Sequence, residues 1–248
     1  MDEELEQIEV CSSLLKEIQQ NESILPLHLS KLKNIKFPWH FTRALKPGEI
    51  PEGIEQITFA WTYNQIFIPG VFPESLQKLT FGSRYNQVLD PFVLPSSLRV
   101  IHFGENYNQY LNEDVLPFSL KVIRFGKNYN CAIREGILPP DLKQIYFGLE
   151  FNQEITENVL PNGLVKIAVD LRYRKKMILP LSCRTVIFEG DYERCGFGGG
   201  ADSPAACLFH ILFEFFWLGI QICRHRLYVR RLKETYPNIN IFYVQRNL

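Results

Sequence analysis

The chain has 248 residues, with 27 basic and 27 acidic side chains that cancel to a formal charge of zero, and 46% of its residues are hydrophobic. Intermixed, balanced charge gives no general basic field, so nucleic acid is not an expected partner. The acidic N-terminus lacks the apolar run of a signal peptide. Cys11, Cys131, Cys183, Cys195, Cys207 and Cys223 show no Cys-x-x-Cys spacing, so a reducing, cytoplasmic compartment is expected.

Residues 1–24 place Leu5, Ile8, Leu15 and Ile18 near helical spacing, with acids early and Lys16 later. That pattern suits an amphipathic helix and its dipole, expected as an N-terminal helical cap, with a partner-binding helix as the alternative. An irregular repeat, LPLHLSKLKNIKF, begins at Leu25. Six copies then start at Ile50, Phe72, Leu94, Leu116, Leu138 and Leu160, each 22 residues after the last. Their skeleton is LPxxLxxLxFGxxYNQxxxxxV, decayed in the last copy, and a truncated LPLSCRTVIFEG follows from Leu179. A fixed period of this length marks a solenoid in which each unit buries its apolar face against its neighbours. The expected fold over residues 25–190 is a mainly β, leucine-rich-repeat-like solenoid with one short parallel strand per repeat.

Each recurring position has a physical reading. Two apolar residues two apart point to one face of an extended segment. Ile57, Leu79, Ile101, Ile123, Ile145 and Ile167 therefore form one core column, and Phe59, Phe81, Phe103, Phe125, Phe147 and Val169 the next. Gly82, Gly104, Gly126 and Gly148 follow the phenylalanines as corner residues, chosen for positive φ or close backbone approach. The prolines from Pro51 to Pro161 fix the approach to each strand. Asn64, Asn86, Asn108, Asn130 and Asn152 are expected to form a structural ladder that satisfies backbone groups at a buried turn; a polar binding strip is the alternative.

The phrase LPxSLxxLxFGxxYNQ at this period resembles the FNIP repeat, a relative of the leucine-rich repeat found in social amoebae and large DNA viruses of protists. In this chain Tyr replaces the usual Phe before Asn in most copies, and the Pro that usually follows is absent. The resemblance implies a protein-binding solenoid, located in the host cytoplasm if the chain is viral. Many viral members place an F-box before the repeats. The two dozen residues before Leu25 lack that three-helix pattern, so the adaptor role in ubiquitin transfer does not carry over from the resemblance.

Residues 191–204 form a glycine-rich linker, which lacks the Gly-Lys-Ser/Thr of a phosphate-binding loop. Residues 205–223 are apolar apart from His210, Glu214 and Gln221, and a basic cluster follows. A helix capping the last repeat is expected there. The alternatives are a partner-binding surface and a membrane anchor, the latter disfavoured by mid-segment Glu214 at on the order of 3 kcal/mol. Cys207 with His210 and Cys223 with His225 fit no common zinc spacing, so no metal is expected. Ile239, Ile241 and Tyr243 alternate as in a final strand.

Function is expected on the outward-pointing strand residues, which alternate with the core columns. The candidates are Thr58, Lys78, Thr80, His102, Arg124, Gln144 and Tyr146, joined by a basic row of Arg99, Lys121 and Lys143. No triad, nucleotide loop or carboxylate pair stands out, so neither an enzyme nor a cofactor is expected. The expected partner is another protein, with a membrane through residues 205–223 as the alternative.

Overall fold

The computed structural model describes residues 7–9, 32–190 and 227–245. Three-residue strands open the fold: β1 (Gln7–Glu9), β2 (Asn34–Lys36), β3 (Gln56–Thr58) and β4 (Lys78–Thr80). β5 (Val100–His102), β6 (Val122–Arg124) and β7 (Gln144–Tyr146) repeat the same length. β8 (Lys166–Asp170), β9 (Thr185–Gly190) and β10 (Asn240–Gln245) are longer. A helix, α1, covers 227–235. The strands form one sheet in chain order, every neighbouring pair parallel, with Gln56 opposite Lys78 and Lys78 opposite Val100. This is the expected parallel solenoid with one strand per repeat.

The core follows from the apolar columns. Ile57, Leu79, Ile101, Ile123, Ile145 and Ile167 are fully buried. Phe81, Phe103, Phe125 and Phe147 stack from rung to rung with ring centroids 5.3–5.5 Å apart. A second aromatic stack runs beside it through Tyr85, Tyr107, Tyr129, Phe151 and Tyr173, at 6.0–6.2 Å. Within a rung the two stacks meet face to face, as in Phe125 and Tyr129 at 3.9 Å. Such pairs add about 0.5–1.5 kcal/mol each beyond the area they bury.

The glycine corners resolve the choice left open by the sequence. A Cβ on Gly104, Gly126 or Gly148 would lie 1.8 Å from the carbonyl oxygen of the glycine one rung earlier. Close backbone approach therefore demands glycine there. Positive φ occurs at a different corner, where Gly70, Phe92, Asp114, Gly136 and Asn158 hold φ of 59–83°. The glycine column ends at Asp170, where β8 continues along β9 instead of turning. Asp170 is buried there, and its Oδ1 accepts hydrogen bonds from the backbone N–H and the Nε of Arg172.

At the N-terminal end the structure corrects the expected helix over residues 1–24. Gln7–Glu9 form β1 and pair with β2, Ile8 opposite Ile35. An open strand edge presents a row of unpaired backbone groups, and pairing with it outweighs the weak helical preference of so short a segment. The rest of that helix, residues 1–6 and 10–24, lies outside the described residues.

At the other end the alternating Ile239, Ile241 and Tyr243 do lead into a strand, since β10 pairs along the whole of β9. α1 lies in the basic segment, not in 205–223, and buries Leu232 while Tyr228, Val229 and Tyr236 pack on the core. The hydroxyl of Tyr236 accepts from the backbone N–H of Leu179 at 2.9 Å, tying α1 to the penultimate turn. The apolar segment 205–223, with its expected cap or anchor and its Cys and His residues, lies outside the described residues. Among the described residues, no helix is long and apolar enough to cross a membrane, and no cluster of His, Cys, Asp or Glu is arranged to hold a metal.

Candidate interaction face of the sheet

The polar residues that recur in every repeat are used between rungs. Oδ1 of Asn64, Asn86, Asn108 and Asn130 each accepts the backbone N–H of the next asparagine at 2.9 Å. The following glutamines reinforce this, with Gln109 Nε2 donating to both the carbonyl and Oδ1 of Asn86. This is the expected asparagine ladder, formed at the exposed or half-buried edge of each rung instead of at a buried turn. A second ladder runs on the hydroxyls: Ser75 donates to Ile54, Ser97 to Leu76 and Ser119 to Leu98, each to a carbonyl of the preceding rung. The serine ladder went unread in the sequence, although Ser75, Ser97 and Ser119 do recur at one repeat position.

The outer face of the sheet has a different character. Parallel register sets its side chains in two columns, Gln56, Lys78, Val100, Val122, Gln144 and Lys166 in one. Thr58, Thr80, His102, Arg124, Tyr146 and Ala168 make the other. Arg124 is exposed, while Lys78, His102, Thr58 and Thr80 are half-buried. Burial, then the neighbouring Arg124 and Lys78 charges, hold the His102 imidazole below its ordinary pKa.

Tyr146 departs from the expected exposed position. It is only 8% exposed, with its hydroxyl donating to Oε1 of Gln144 at 2.8 Å. The Arg124 guanidinium lies 4.2 Å, and the Lys166 ammonium 5.1 Å, from its ring centroid. With Ala168, Ile187 and Val122 it forms a small apolar cluster on this face. Tyr146 thus serves as a platform that fixes two cations.

The expected basic row divides. Lys121 is bound to Asp141 at 2.7 Å and Lys143 donates to the carbonyl of Gly163 at 3.3 Å. Arg99 lines a shallow polar groove of about 440 Å³ beside the sheet, together with Glu74, Gln77 and Ser97. Two face cations, Lys36 and Lys166, were not among the sequence candidates. They stand in strands of the irregular first and decayed sixth repeats, where the skeleton is faint.

A family model described as FNIP Repeat matches residues 41–84, 63–106, 85–128, 107–149 and 129–169, together over half of the chain. Among solved structures the fold is similar to CroV588 of the giant virus CroV, described as a novel circular LRR protein. The identity is 39% and the TM-score 0.62 over 65% of this chain, which spans 24% of that protein's length. A search of curated proteins returns no match.

Proposed function

Since the chain belongs to the FNIP repeat family, we propose that it is a non-catalytic scaffold that binds another protein through the exposed face of its parallel sheet. One observation carries the reading. The Asn, Gln and Ser side chains that recur are consumed in rung-to-rung hydrogen bonds, whereas Lys78 and Arg124 on the sheet face make no ion pair among the described residues. Side chains committed to stacking hold the solenoid together. Side chains left over on a stiff, repeated surface are free for recognition, since solenoids present binding surfaces spread over many rungs.

Capture from cell extract tests this with three forms of the full chain: unaltered, Lys78→Glu/Arg124→Glu on the face, and Asp90→Lys/Glu113→Lys on the loops of other repeat positions. Proteins retained by the first and third but lost by the second support the face. Equal retention by all three counts against it.

A further inference from the structure

The outer face carries cations in a regular pattern. In the two outward columns from β2 to β8 stand Lys36, Lys78, Arg124 and Lys166, with no Asp or Glu at any of these positions. None of the four makes an ion pair among the described residues. The acids engaged near the sheet are bound elsewhere, Glu55 by Lys33, Asp141 by Lys121 and Asp170 by Arg172. A chain of zero net charge therefore keeps the face positive from β2 to β8, bounded at β1 by Glu9, which stands opposite Lys36 in the register.

The spacing is as informative as the sign. The four cations lie on alternate strands, β2, β4, β6 and β8. Adjacent strands are about 4.8 Å apart, so the charges recur about every 10 Å along the solenoid. They also alternate between the two columns, Lys36 and Arg124 in one, Lys78 and Lys166 in the other. Two of them are braced on the Tyr146 ring, which lowers the side-chain entropy lost on engaging a ligand.

Building on the scaffold reading above, we propose that the partner segment is an extended acidic stretch of polypeptide, lying along the solenoid axis with a carboxylate at about every third residue. An extended or polyproline-type chain advances about 3.1–3.3 Å per residue, so every third side chain recurs at about 9–10 Å. That matches the cation spacing. A nucleic acid strand fits less well, because its phosphates are more closely spaced than the cations.

The test is fluorescence anisotropy with the full chain and three labelled probes. One is a peptide of four Glu-Ala-Pro units, the second its isomer with the four glutamates contiguous, and the third an oligouridylate of equal charge. The spaced peptide is expected to bind about tenfold tighter than its isomer, and Lys78→Glu/Arg124→Glu to weaken it about tenfold or more with an unchanged melting temperature. The proposal is overturned if both peptides bind equally, if neither binds, or if the oligonucleotide binds more tightly. The extract experiment separates the two claims. Proteins lost with the face variant while the peptides fail would leave the scaffold reading standing and remove only the acidic partner.

Discussion

A methyl group on Gly126 would meet the carbonyl oxygen of Gly104 at 1.8 Å, and its other near neighbours are also backbone atoms of that rung, which cannot swing aside as a side chain would. Gly126→Ala is therefore expected to cost about 3 kcal/mol or more, seen as a large fall in the denaturant midpoint. Phe92 presents the opposite case. Its φ of 64° is one that glycine adopts freely and a bulky side chain resists, and the ring is 75% exposed. Phe92→Gly should stabilise by about 1 kcal/mol, read as a rise in melting temperature, with little packing lost. Tyr107 supplies a third contrast, because its fully buried hydroxyl has no hydrogen-bond partner among the described residues. Phe151 fills the same place without one. Tyr107→Phe is expected to be neutral or stabilising by about 1 kcal/mol, whereas Tyr173→Phe, which removes hydrogen bonds to the carbonyls of Gln153 and Lys176, should destabilise by about 1 kcal/mol. The glycine column was legible as corners in the sequence. The left-handed corner was not, because Gly, Phe, Asp, Gly and Asn share it, so no single residue type marks the position.

Strands of three residues are too short to hold a sheet by their own hydrogen bonds, so the flanking ladders matter at this scale. Each asparagine oxygen extends the hydrogen bonding of a rung beyond its strand, and the serine hydroxyls do the same on the entry side. On the face between them, His102 carries a pH dependence. Its folded pKa lies below the ordinary 6.5, through burial first and then the Arg124 and Lys78 charges. The unfolded chain therefore takes up the proton more readily, so this contribution to stability is complete above about 6.5 and is lost as the pH falls below it. Thermal unfolding across that range should show the loss, and His102→Gln should flatten that part of the profile. The asparagine ladder and the final strand were readable, since both repeat a residue type or alternate cleanly. β1 was not, because Ile8 satisfies helical and extended patterns equally and its partner strand decides between them.

Over the whole molecule the solenoid is a series of neighbour contacts, so its ends need separate treatment. α1 and β10 finish the C-terminal end, with Leu232 buried against the core. Leu232→Ala should cost about 2–3 kcal/mol in chemical unfolding, although no repeat position is touched. The sequence pointed to a cap in the apolar segment 205–223, while the described helix that packs on the core is in the basic segment, where Leu232 is flanked by charges and Tyr228, Val229 and Tyr236 pack beside it. Face residues were legible wherever the repeat was intact. Lys36 and Lys166 escaped because their repeats have decayed, yet the sheet carries them in register.

The proposed scaffold divides its polar side chains in two, the recurring ones holding the rungs together and those of the sheet face meeting a partner. Side-by-side thermal unfolding of two variants of the full chain tests it most directly: Asn86→Ala/Asn108→Ala in the ladder and Lys78→Glu/Arg124→Glu on the face. The ladder variant is expected to melt about 5 °C below the unaltered chain and the face variant within about 2 °C of it. A face variant that melts as low as the ladder variant would contradict the account, because the cations of the sheet would then be structural.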